Sequence, residues 1–158
     1  MKITNGYGVA QIGLHWLIAV GVAVNYVLSD DMGKALHQKT DGAEVTVSIA
    51  GLHVWIGVAV LALVVLRIVL RLTRGAPAPE AGLQGALAKA MHGLLYLLLV
   101  AVPLGGAMTW FLGITSLGDL HALGANALMV LAGLHAVMAL FHHYILKDGT
   151  LLRMMRPQ

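Results

Sequence analysis

His121 and His135 stand fourteen residues apart on one long apolar stretch. In an α-helix that separation rises roughly 21 Å and completes nearly four turns. The two imidazoles therefore leave almost the same helix face, at opposite depths of a bilayer. His15 and His53 lie inside two other apolar stretches. An ionisable group in hydrocarbon is costly and is usually kept for a function. The chain has eight histidines and no cysteine. That inventory removes disulfides, thiolate metal sites, iron–sulfur clusters and covalent haem attachment, which needs Cys-x-x-Cys-His. What fits paired imidazoles best is iron gripped by nitrogen on both sides, as in two non-covalent haems stacked across a membrane.

Four apolar runs must position these rings. They extend over about 9–28, 47–70, 87–112 and 121–146. Each has the roughly 20 residues needed to cross a 30 Å hydrocarbon core. Nothing alternates as a barrel strand would, and backbone groups in lipid must be satisfied internally, so the spans are helices. The expected fold is all-α: a transmembrane four-helix bundle forming a single membrane domain over residues 1–158. Composition agrees, with 59% apolar and 11% charged residues against about 25% charged in a soluble domain. The first run is about twenty residues long, follows only Lys2 as a charge and precedes no small-residue cleavage pattern. It reads as a retained span rather than a signal peptide.

The connectors are polar. Ser29 to Glu44 carries charges of both signs, and the stretch from Arg74 to Glu80 holds two prolines and a glycine. Ser116 or Asp119 could cap the fourth helix, and Gly149, after Asp148, could close it. Pro103 lies within the third span and is expected to kink it.

Charge sets the orientation. An even number of spans returns both termini to one side. That side collects Lys2, Arg67, Arg71, Arg74, Lys89, Lys147, Arg153 and Arg156 against Glu80 and Asp148, a net +6. The other holds Lys34 and Lys39 against Asp30, Asp31, Asp41, Glu44 and Asp119, a net −3, and the two sides together give the chain's +3. The positive-inside rule places both termini in the cytoplasm. These charges sit between apolar runs rather than on one soluble face. Membrane lipid, not nucleic acid, is the expected partner.

Depth then pairs the histidines. His15 lies near the cytoplasmic start of span one and His135 toward the cytoplasmic part of span four. His53 and His121 lie near the outer ends of spans two and four. The pairs are His15 with His135, and His53 with His121, each supplying two axial nitrogens to a haem iron. Simple rise leaves His15 and His53 closer in depth than the fourth-span pair, a difference that helix tilt absorbs. Glycines 13, 21, 51, 57, 124 and 133 flank the rings. They would let a flat porphyrin approach, or let helices pack closely.

Other residues fill out the inner end. Arg67 and Arg71 are four residues apart and could pair with haem propionates through bidentate geometry, or anchor the helix at the interface. His92 could meet a propionate or serve in packing. His142 follows His135 by seven residues, two turns along nearly the same face. With Trp16 and Lys147 it could line a pocket for a quinone headgroup, or form an interfacial cluster reaching for water. His37 reads as solvated, Trp55 and Trp110 as aromatic-belt residues.

The chain resembles the bacterial cytochrome b561 family, and within it the dihaem superoxide oxidases. The likeness rests on Tyr7-Gly8, Leu14-His15-Trp16-Leu17, Leu52-His53 and the run Leu66-Arg67-Ile68-Val69-Leu70-Arg71-Leu72. It continues through His92 with Tyr96 and Pro103, the His121 and His135 spacing, His142-His143-Tyr144, Lys147-Asp148 and Leu151-Leu152-Arg153-Met154-Met155. It covers essentially the whole chain. The resemblance implies an inner-membrane four-helix bundle with two b haems on the same four histidines. It also implies electrons passing from superoxide at the outer haem to ubiquinone at the inner one, with His142, Trp16 and Lys147 at the quinone end. That is a superoxide:quinone oxidoreductase-like activity. The connection between spans three and four is short, about Gly113 to Leu120, and the outer side is net negative. A second reading therefore stays open: a haem-bearing anchor relaying electrons between a partner oxidoreductase and the quinone pool. A haem-free metal or proton transporter would need the intramembrane Asp or Glu that the spans lack.

Overall fold

The computed structural model describes residues 3–4, 6–77 and 82–157, and the side chains of 6–77 and 82–157. Lys2 and Glu80, counted in the charge balance, lie outside the described residues. The four long helices are α1 (Val9–Val27), α3 (Ala50–Arg74), α4 (Gly82–Leu112) and α5 (Leu117–Phe141). A π-helical turn, His142–Leu146, continues α5. All four are long and apolar enough to cross a membrane. Relative to the sequence expectation, α3 sits three or four residues further along, and α4 and α5 begin earlier. Arg71 and Arg74 therefore lie in the last turn of α3, where cations complement the helix dipole.

The polar connector from Ser29 to Glu44 is not simply a loop. It holds a short helix, α2 (Met32–Thr40), with Ala35 fully buried. Lys39 of α2 sits over the Trp110 ring at 5.2 Å, a cation–π contact. The turn into α5 is tight. Gly113 takes φ 71, which glycine adopts at no steric cost. Ser116 holds the N-cap position without a side-chain cap bond, and Asp119 lies inside the first turn. Here the tight turn, not a polar cap, sets the start of α5. At the far end, Lys147 adopts the left-handed conformation, φ 54, the role expected of Gly149. Helix α4 continues through Pro103.

Packing follows chain order. Helix α1 lies on α3, α3 on α4, and α4 on α5. The buried cluster of Ile18, Val60 and Val64 joins α1 to α3, with Leu99 and Val100 of α4 against it. Helix α5 contributes one buried residue, Leu128. It does not pack closely on α1 or α3, although it carries two of the four histidines under discussion. Many large apolar side chains face outward, among them Leu17, Val20, Leu66, Leu97 and Val137. In lipid such a surface stays favourable, and helices associate by close packing rather than by hydrophobic force. Two glycines serve that packing: a Cβ on Gly21 would fall 2.9 Å from Val60 Cγ2, and one on Gly124 would fall 2.9 Å from Val102 Cγ2.

Candidate bis-histidine sites

Both pairs deduced from depth meet across the interior. The His15 and His135 ring centroids are 6.4 Å apart with planes at 74°. Those of His53 and His121 are 6.1 Å apart at 86°. Two imidazoles bonded on opposite sides of one metal, each nitrogen about 2 Å from it, place their ring centres roughly 6 Å apart. All four rings are half-buried.

The loop-end pair has its tautomers set by the backbone. His53 Nδ1 lies 3.0 Å from the Asn25 carbonyl oxygen of α1. His121 Nδ1 lies 2.8 Å from the Val102 carbonyl oxygen of α4. A carbonyl accepts only, so each Nδ1 must donate, and each Nε2 is left as a lone-pair nitrogen. That is the orientation a metal-ligating histidine needs, and a backbone carbonyl is a common way to impose it. Gly106 makes room for the second ring: a Cβ there would stand 2.7 Å from His121 Cε1 and 2.8 Å from Nδ1. Beside His53 the four helices leave a half-open cavity of about 60 Å³, walled by Gly57, Val60, Leu99, Pro103 and Leu128. Asn25 also lines it, and its buried Oδ1 has no hydrogen-bond partner among the described residues. An interior with paired imidazoles, an apolar cavity and an unsatisfied polar atom fits a flat, largely apolar metal complex better than a self-complete packed core.

The terminus-end pair is held differently. His135 touches a third ring, His92, at 5.2 Å between centroids. His92 Nδ1 in turn meets the Ala88 carbonyl one turn back, at 2.6 Å. His15 lies 5.3 Å from its neighbour Trp16. Arg67 is half-buried toward the C-terminal end of α3. Its Nε donates to the Tyr96 hydroxyl at 3.1 Å, and its terminal nitrogen donates to the Gln11 carbonyl at 2.8 Å. Arg71 approaches the Tyr96 ring face at 5.9 Å. Neither guanidinium forms an ion pair with a carboxylate among the described residues. A half-buried cation without an anion is an incomplete arrangement, and a carboxylate on a bound group would complete it.

The residues expected at a quinone end are brought near the termini but not into one contact. His142 bonds to Asp148, Nδ1 to Oδ2 at 2.5 Å. The Trp16 indole N–H donates to the Met154 carbonyl at 3.0 Å. Lys147 is exposed at the backbone reversal. Sequence reasoning missed three participants: Gly106, Tyr96 as the link between Arg67 and Arg71, and Asp148 as the partner of His142. Of the flanking glycines, Gly13, Gly51 and Gly133 face open space, whereas Gly21 and Gly124 are used in helix contacts.

Four membrane-crossing helices carrying histidines in facing pairs define a class, the membrane-embedded b-type cytochromes. The chain belongs to the prokaryotic cytochrome b561 family, whose model matches residues 6–157. It is similar to a cytochrome b562 of Cereibacter sphaeroides, 44% identical over 157 residues and covering 97% of each chain. It is also similar to a probable superoxide oxidase CybB of Yersinia pestis, 32% identical over 174 aligned positions, covering 94% of this chain and 95% of that one. A third relative is cytochrome b561 homolog 1 of Escherichia coli, 30% identical, covering 96% and 97%. Membership makes this a multi-pass electron-transfer protein of a bacterial membrane and implies b-type haem.

Proposed function

We propose that this protein is a dihaem b-type cytochrome of the bacterial inner membrane, with both termini in the cytoplasm, that moves electrons from superoxide on the outer face to ubiquinone on the inner face. His53 and His121 would hold the outer haem, His15 and His135 the inner one. When bound, haem supplies reversible one-electron exchange at iron. The chain's own part is to fix both nitrogens of each pair, exclude water from the interior and balance charge. Arg67 and Arg71 would receive the inner propionates. The observation that carries this reading is two facing imidazole pairs at two heights, one with both Nδ1 atoms tied to backbone carbonyls.

The deciding experiment is an absorption spectrum of the purified protein with a haem-to-protein ratio. A strong Soret band, a sharp reduced α-band and a ratio of two are expected. A colourless protein, or a ratio of one, overturns the two-pair scheme.

One observation favours a second reading of the donor. The alignment with the probable superoxide oxidase has 174 positions, more than this chain's 158 residues, so that relative carries inserted segments. The cytochrome b562 relative aligns over 157. The protein would then relay electrons from a partner oxidoreductase. Superoxide consumption by the isolated, haem-replete protein with quinone present supports the first reading; inactivity supports the second.

A further inference from the structure

The end of α5 is built in an unusual way. After Phe141 the chain widens into a π turn over His142–Leu146, a feature often found at functional sites. It then reverses at Lys147 with φ 54, a conformation that a side chain with a Cβ adopts only when its surroundings impose it. The Asp148 N–H donates to the His142 carbonyl at 3.2 Å, which carries the Asp148 side chain back onto the His142 ring. One carboxylate oxygen meets His142 Nδ1 at 2.5 Å. The other accepts the Thr150 N–H at 2.9 Å. The carboxylate is thus pinned by two donors in a strap that closes on α1 through Trp16 and the Met154 carbonyl. Side-chain exposure is 18% for His142 and 32% for Asp148, so the pair sits at a boundary between protein and water.

A carboxylate bonded to Nδ1 does two things to an imidazole. It fixes the tautomer with the exchangeable position at Nε2, and it stabilises the imidazolium. Imidazole is the side chain suited to passing protons near neutral pH.

We propose that His142 and Asp148 are the proton-transfer pair of the quinone end, with His142 the group that meets the quinone and Asp148 its positioning residue. This rests on the quinone reading above. Reduction of a quinone to a quinol takes two electrons and two protons. The electrons come one at a time from two molecules of the outer one-electron donor. Each proton leaves His142 Nε2 as an O–H bond forms on a quinone carbonyl oxygen. The neutral imidazole left behind recovers its proton from water at the terminus-bearing face. Asp148 stays ionised throughout.

The test uses the full, haem-loaded protein in lipid nanodiscs, chemically reduced and mixed without oxygen with a short-chain ubiquinone, in H2O and in D2O. In Asp148→Asn, the maximal rate of haem reoxidation by quinone should fall about tenfold or more and its solvent isotope effect should rise. The half-saturating quinone concentration, the haem-to-protein ratio and the affinity for a non-reducible quinone analogue should not change. Asp148→Glu, which keeps the carboxylate, should recover part of the rate. An Asp148→Asn protein with wild-type rate and isotope effect overturns the proposal while leaving the quinone reading intact. Loss of haem or of analogue binding in that variant makes Asp148 a structural residue only and also overturns it. A wild-type protein that quinone does not reoxidise overturns the quinone reading itself.

Discussion

The His121 imidazole occupies the space that a side chain at Gly106 would fill. A Cβ at that glycine would lie 2.7 Å from one ring atom and 2.8 Å from another. The nearer ring nitrogen, Nδ1, is also the atom fixed by the Val102 carbonyl, one turn earlier on α4. Helix α4 therefore supplies both the hydrogen bond and the clearance. Gly106→Ala should push the ring off its line toward His53. The expected result is loss of one of two haems, or an altered low-spin electron paramagnetic resonance signal at one site, with the other unchanged. Retention of both haems with unaltered signals would show that the ring has slack to give.

The pairing by height makes a sharper prediction. Alanine at His53 and alanine at His121 should give the same spectrum, each lacking the same haem. Alanine at His15 and at His135 should give a second, different spectrum. Combining two substitutions within a pair should add nothing to either alone, because one broken grip already releases the group. Combining across pairs should remove both haems. Pigment titration of these single and double variants checks this directly, and any single substitution that removes both haems contradicts it.

How much of this could be read from the chain differs from residue to residue. The four spans were legible because lipid imposes one rule on every position of a run: apolar side chains and internally satisfied backbone. The facing of His15 with His135, and of His53 with His121, was legible because helical rise converts residue number into depth. Gly106 was not, since its neighbour His121 is brought to it only by the packing of α4 on α5. Arg67 and Tyr96 meet across two helices for the same reason. The bond from His142 to Asp148 escaped a helix-face argument because the π turn breaks the 3.6-residue periodicity that such arguments use. Helix α2 was hidden inside a polar segment whose pattern has little apolar content beyond Ala35 and Leu36.

Arg67 offers a test of charge balance. Its guanidinium is half-buried and engaged by Tyr96 and Gln11, with no carboxylate paired to it among the described residues. A fixed cation near a haem favours the electron-rich ferrous form. Removing it in Arg67→Gln should lower the midpoint potential of the inner haem by about 60 mV, a tenfold change in a one-electron equilibrium. The outer haem should not move. Arg71→Gln should produce a smaller shift, since Arg71 stands over the Tyr96 ring one turn nearer the end of α3. Spectroelectrochemical titration resolves the two potentials. Equal shifts at both haems would argue for a general surface-charge effect instead.

The carboxyl of Asp148 is lowered from its ordinary 3.8 to about 2, first by the hydrogen bond from His142 and then by that from Thr150. A carboxyl depressed in the folded state contributes stability above its unfolded value, and that contribution is lost as pH falls through the folded one. The strap should therefore hold from neutral pH down to about 4 and release as pH falls to about 2. Trp16 reports on it, because its indole N–H ends on the Met154 carbonyl within the strap. In a protein whose other tryptophans are replaced, Trp55→Phe and Trp110→Phe, the Trp16 emission should shift over that acid range. With Asp148→Asn added, no carboxyl remains at that position to be protonated. The emission should then change little on acidification. An acid transition of undiminished size in the Asp148→Asn protein would mean that some other group holds the strap to α1.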